Sequence, residues 1–303
     1  MVKGNLIIER VQEEQYQGHS TRRDIYTRLE KVVGMPLISF FTSFAYPVML
    51  EDSDADMLEG VLQKCDLSKG FALLLSSPGG SALAAERVIN VCRSYSGTGE
   101  YVAIVPAKAK SAATMICLGA SKIVMGRTSE LGTVDPQIVV KEDGKVRWFS
   151  LYNLVRSYEA LFDKAVKEKG NLEPYLQQLH HYDAREIAEF RSALSLSEDI
   201  AIKSLRTGML KGRSTKDIRR KTRIFLTPER GKVHGRAIYA EEAAKCGLTV
   251  EIAEAKDEMW ALVYELYVRL NNYVSTREVA KSMESADYSF RARMGAAKTG
   301  GES

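Results

Sequence analysis

Two short stretches carry the residue types that acyl-transfer chemistry needs. Ser77-Pro78-Gly79-Gly80 follows the apolar run at 71–75, and Lys110-Ser111-Ala112-Ala113 follows the run at 101–105. Glycine lets backbone N–H groups come close to a ligand oxygen. A serine at a helix start has its hydroxyl beside N–H groups without a helical acceptor, at the positive end of the helix dipole. Together they describe a nucleophile, Ser111, and an oxyanion hole made by the N–H groups of Gly80 and Ala112. Taken singly, Pro-Gly-Gly marks a turn and a helix-start serine marks an N-cap. The weight comes from their joint placement.

The elements that must hold these loops are legible as apolar runs. Segments 37–44, 71–75, 101–105 and 122–125 are short and apolar, the pattern of strands buried on both faces. A helix with Asp52, Ser53 and Asp54 as possible caps follows the first. Another carries Leu83, Ala84, Val88, Ile89, Val91 and Cys92 on or near one face, and a third starts at Ser111. This alternation predicts an α/β domain with a largely parallel sheet, which holds its sites where strands end and helices begin. A loop is expected over 126–137. Asp143-Gly144 predicts a hairpin over 138–149. The pattern is then helical to Leu210, with a break near Gly170, and helices resume from Ser214 and Tyr239. The expected organisation is an N-terminal arm (1–34) with a helix around Asp24 to Lys31, the main domain (35–255), a C-terminal helix (256–283) and a disordered tail (284–303).

The chain has 303 residues, 45% of them hydrophobic and 27% charged, enough to bury a core and contrary to wholesale disorder. A formal net charge of +4 is too small to make nucleic acid the main partner. Between Lys203 and Arg236, however, twelve Lys or Arg stand against Asp217 and Glu229 alone. With Phe225 as the one aromatic in that run, solvated helix faces or an acidic protein surface explain it better than nucleic acid. Cys65, Cys92, Cys117 and Cys246 lack zinc or redox spacing, so reduced thiols are expected. The start has no signal-peptide core, and the apolar stretch at 35–50 is too short to span a bilayer as a helix. A cytoplasmic protein without a membrane span is the expectation. Adjacent His180 and His181 point in different directions on a helix, which makes a poor metal site. There is no phosphate-binding loop of the nucleotide-hydrolase type. Neither metal nor cofactor is expected.

Over 71–137 the order of strand, Ser-Pro-Gly-Gly, helix, strand, helix-start serine, strand and loop resembles the Clp-protease/crotonase superfamily. Met49-Leu50-Glu51-Asp52, Ser77-Pro78-Gly79-Gly80, Ala84-Ala85-Glu86 and Leu131-Gly132-Thr133-Val134-Asp135-Pro136-Gln137 are similar to the serine dehydrogenase proteinase family, a relative of signal peptide peptidase A. Val233-His234-Gly235-Arg236-Ala237-Ile238 and Ala243-Ala244-Lys245-Cys246-Gly247-Leu248 fit its closing helix–strand unit. The resemblance covers about 35–255. It implies a Clp-like parallel-sheet fold with a helical C-terminal half and a serine peptidase working on protein or peptide substrates in a ring or other homo-oligomer. Position by position, it implies Ser111 as nucleophile, Gly79 and Gly80 as the oxyanion-hole loop and Ala112 as the second N–H donor.

The general base is where the resemblance departs. Where Clp-type proteases place a histidine, this chain has Asp135, a weak base at neutral pH unless burial raises its pKa. Signal peptide peptidase relatives use a lysine from a later segment, here about 151–164. Arg156 stands at the aligned position, and arginine stays protonated. Lys141, Lys145 and Lys164 are the alternatives, the first two beside a hairpin turn. Three functions follow from these residues: a soluble serine endopeptidase with Ser111, assisted by Asp135 or a lysine such as Lys164; a non-catalytic oligomeric scaffold that lacks a base; and crotonase-type acyl-thioester chemistry on the same oxyanion hole. His234 is a minor candidate for a neighbouring subunit's site.

Overall fold

The computed structural model describes residues 6–14, 18–142, 145–227, 235–275 and 279–293. Its centre is a seven-stranded sheet of β1 (Leu37–Thr42), β2 (Ala72–Ser76), β3 (Val102–Val105), β5 (Lys122–Gly126), β9 (Val250–Ala253), β10 (Lys281–Glu284) and β11 (Ser289–Ala292). The order is β11-β10-β1-β2-β3-β5-β9. The five strands from β1 to β9 are parallel, whereas β10 and β11 add antiparallel at the β1 edge. The mixed α/β fold with a mainly parallel sheet agrees with the sequence expectation.

Strand side chains alternate between two cores, as the period of two requires. Ile38, Phe40, Leu73, Leu75, Ala103, Val105, Ile123 and Met125 face one cluster. It is shared with the helices α3 (Ser53–Leu62), α4 (Ala82–Tyr95) and α5 (Ala112–Gly119). Leu37, Phe41, Ala72, Leu74, Ile104 and Val124 face the other cluster. That side is covered by α2 (Ser20–Val33) and the long α12 (Glu258–Val274). With apolar surface buried on both faces, the strands read as continuous apolar runs rather than alternating ones.

Two short strands, β4 (Lys108–Ala109) and β6 (Glu130–Leu131), pair in parallel beside the main sheet, so the expected 126–137 loop contains a strand. The hairpin forms from β7 (Gln137–Glu142) and β8 (Lys145–Ser150); its Asp143-Gly144 turn lies outside the described residues. Helices α6 (Leu151–Lys167), α7 (Glu173–Leu179) and α8 (Ala184–Thr207) follow, the first break spanning Gly170 as expected. α9 (Thr215–Lys221) starts from a Ser214 cap, α10 (Arg223–Leu226) follows, and α11 (Ala240–Lys245) leads into β9.

At the N-terminus the helix expected around Asp24 to Lys31 forms within α2, but both chain ends are more ordered than expected. The segment read as an arm contains α1 (Ile7–Glu13) and α2, and Tyr26 and Leu29 on α2 are fully buried. The C-terminal helix stops at Val274, and part of the segment read as a disordered tail is β11. Polar residues hid these strands, because two of them hold buried ion pairs. Arg22 on α2 forks onto Glu284 at 2.8 and 2.6 Å, with both side chains fully buried. Lys281 donates to both oxygens of Asp54 at 3.0 and 2.9 Å. Residues 294–303 lie outside the described residues.

Candidate active site

Both loops singled out from the sequence meet at one cleft. Ser77-Pro78-Gly79-Gly80 leaves the end of β2, and Lys110-Ser111 leaves the end of β4. The two segments are stitched together, Ser77 N–H donating to Lys108 O at 3.1 Å and Lys110 N–H to Ser77 O at 3.0 Å. Ser111 is the N-cap of α5, at φ 50° and ψ −121°. It is the one non-glycine with positive φ among the described residues. Serine rarely adopts such backbone angles, and their occurrence at a strand-to-helix turn is the kind of stored strain found at functional sites. Its side chain is half-buried and lines the cleft.

The glycines are required by close approach. A Cβ on Gly79, at φ 95°, would overlap Lys110 O and lie 2.8 Å from Ser111 Cβ. A Cβ on Gly80 would overlap the backbone of Leu50, with which Gly80 makes a parallel bridge. That bridge leaves Gly80 N–H free: Leu50 N–H donates to Gly79 O at 2.8 Å and Ser81 N–H to Leu50 O at 2.9 Å. Among the described residues, neither Gly80 N–H nor Ala112 N–H, the first of α5, donates to a protein acceptor. Gly79, the other glycine of the expected oxyanion-hole loop, has its N–H engaged. That group donates to the buried Ser77 Oγ at 3.1 Å, so Gly79 shapes the loop rather than supplying a donor.

Neither side chain expected to assist Ser111 is among the described residues that line the cleft. Asp135 is 2% exposed and accepts from Thr133 Oγ1 and from Ser150 Oγ, each at 2.7 Å. Ser150 is the N-cap of α6 and pairs with Gln137 across the hairpin base. Asp135 therefore ties the loop after β6 to the hairpin, and Pro136 and Gln137, not Asp135, line the cleft. Lys164 is exposed near the end of α6 and does not line it. Arg156 is also exposed, with Glu159 at 4.0 Å. Lys141 and Lys145 are on the two hairpin strands, and their side chains lie outside the described ones, as does His234.

The cleft, about 560 Å³, has mostly apolar walls: Phe44, Pro47, Val48 and Met49 from the segment after β1, Leu83 from α4, and Leu196 from α8. The α4 residue Leu83, expected on the core face, is 57% exposed and turns toward this cleft. Tyr46 is the one titratable side chain among the described lining residues, and its hydroxyl donates to Ser275 O at 2.8 Å. Sequence reading missed the 44–49 wall because its residues are apolar and irregular, which looks like core. It also missed Thr114, buried on α5, whose only sequence signal is a hydroxyl within an apolar helix.

Residues 19–145 match the model of the ClpP-like SDH-type serine proteinases. Two uncharacterized proteins of Methanocaldococcus jannaschii are similar to the chain: MJ0137 is 33% identical over 105 residues, which is 35% of this chain and 33% of that protein. MJ1495 is 30% identical over 106 residues, 35% of this chain and 32% of that protein. The match thus spans about a third of the length of each relative. Among solved structures, a mutant of a membrane-bound stomatin-specific protease is 16% identical over 42% of this chain and 63% of that one, with a TM-score of 0.29. The segment that resembles the ClpP-like SDH-type serine proteinases holds Gly79, Gly80, Ser111 and Ala112.

Proposed function

We propose that this protein is a serine endopeptidase in which Ser111 Oγ attacks the carbonyl of a bound peptide. Gly80 N–H and Ala112 N–H receive the oxyanion. The observation that carries the reading is the pair of unpaired backbone donors beside a serine held at positive φ. Such donors act where charge develops in the transition state, and losing one typically costs about 3–4 kcal/mol of barrier. The peptide lies along the Gly79-Gly80 loop, and the apolar walls receive its side chains. Specificity then comes from pockets flanking an extended strand. Homo-oligomeric assembly is part of the proposal. It is supported by the family and by Phe162, Val166, Leu172 and Leu176, apolar side chains exposed on or beside α6 and α7.

One observation favours a second reading, an oligomeric scaffold that keeps the fold without turnover. A base must sit within hydrogen-bond reach of the nucleophile, and Tyr46 is the only titratable group among the described lining residues. Treatment of the purified protein with a fluorophosphonate probe separates the readings. Labelling of wild type that disappears in Ser111→Ala supports an activated nucleophile. A folded wild type that takes up no probe under any oligomeric condition moves the assignment to the scaffold.

A further inference from the structure

We infer that Thr114 is a positioning residue that sets the turn carrying Ser111. Its side chain is fully buried in the first turn of α5. The hydroxyl donates to Ala109 O at 2.8 Å and accepts from Gly132 N–H at 2.9 Å. Those two groups are the exits of the β4–β6 ladder, whose last paired residues are Ala109 and Leu131. One hydroxyl is thus inserted between two strands at the point where they part. β4 departs there toward Ser111 and β6 toward the loop that ends at the cleft.

The placement brackets the nucleophile from both sides in sequence. Ala109 lies two residues before Ser111 and Thr114 three residues after it. Fixing both ends leaves the intervening chain little freedom to relax from φ 50°. The neighbouring contacts work in the same direction. Lys110 Nζ donates to Leu131 O at 3.1 Å and pairs with Glu130 at 2.7 Å, and a Cβ on Gly132 would stand 3.0 Å from Lys110 Cδ. Because the hydroxyl both donates and accepts, valine, though of similar shape, would lose both of these buried bonds. Serine would preserve both bonds.

The inference rests on the peptidase reading for its kinetic consequence but not for its structural one. The test is the rate of fluorophosphonate labelling of Thr114→Val and Thr114→Ser, with circular dichroism and thermal scans confirming that each is folded at the assay temperature. Thr114→Val is expected to label about 10-fold to 100-fold more slowly, the size of loss that a misplacement of about 1 Å produces. Thr114→Ser is expected to restore the wild-type rate. Labelling of Thr114→Val at the wild-type rate would overturn the inference. If the valine variant does not fold, Thr114→Cys, a weaker donor, takes its place, and a rate equal to that of the serine variant counts against positioning. Should wild type itself take no label, the peptidase reading fails separately. Crystal structures of wild type and the valine or cysteine variant then decide: Ser111 leaving positive φ supports the role, and an unchanged turn removes it.

Discussion

In the proposed site, each of four residues has a separable job. Ser111 carries the hydroxyl, Gly80 and Ala112 carry the donors, and Gly79 makes room for the Ser111 turn. Gly79→Ala therefore tests space rather than chemistry. Its Cβ would meet Lys110 O, Ser111 Cβ and Ala112 N at a φ of 95°. A left-handed conformation alone costs an alanine about 1–2 kcal/mol, so thermal scans are expected to show a destabilisation of at least that size, with probe labelling lost. A fully stable, fully labelled variant would mean that the turn is more pliant than the contacts imply. By contrast, Asp135→Asn is expected to affect stability more than the pH midpoint of labelling, because Asp135 accepts from Thr133 and Ser150 away from the cleft lining. A large shift of that midpoint in Asp135→Asn would return Asp135 to the role of base.

Among the elements, the C-terminal strands close the molecule. β1 is buried along its whole length, and β10 supplies its outer neighbour. Deleting residues 276–303 would strip that neighbour, expose an apolar strand edge and take the buried charge partners Glu284 and Lys281 from Arg22 and Asp54. The truncated chain is expected to aggregate on size exclusion; a monodisperse product with wild-type melting would contradict this role. The ion pair adds a pH signature. Burial raises the Asp54 carboxyl above its ordinary range, opposed by the Glu51 N–H and by Lys281. A raised folded pKa means that the fold holds the proton more tightly than the unfolded chain. That contribution is present below the ordinary value and lost as pH rises through the folded one. Lys281→Met removes an opposing charge, and an uncompensated buried charge costs about 3–5 kcal/mol. The variant is thus expected to lie closest to wild type near pH 4 and fall further behind toward pH 7, values set by about the ordinary carboxylate pKa. Urea midpoints across that range measure it, and a pH-independent gap would count against the ionised pair.

For the whole molecule, the apolar side chains left exposed on and beside α6 and α7 bear on assembly. Light scattering is expected to show an oligomer in the micromolar range, and Phe162→Asp combined with Val166→Asp is expected to shift it toward smaller species. A clean wild-type monomer would remove assembly from the proposal. Among the described residues no helix is long and apolar enough to cross a membrane. Among the described residues of the basic run, Asp217 serves Arg213, Arg220 and Lys221, and Glu198 serves Arg219.

The sequence by itself determined the four central strands of the sheet and the two loops. Strands buried on both faces announce themselves as apolar runs, and glycines that no side chain could replace stand beside a serine at a helix start. It also marked the hairpin, since Asp-Gly between Val- and Lys-bearing strands is local chemistry. Tertiary structure alone decided the rest. That Lys281 and Glu284 form a strand depends on Asp54 and Arg22, more than two hundred residues distant in sequence. That Gly80 rather than Gly79 keeps a free N–H depends on Ser77 Oγ and on the Leu50 bridge. That Asp135 braces the hairpin base depends on Ser150. Each of these outcomes turns on which partner satisfies a buried polar group, and partners brought together by folding leave no periodic trace along the chain.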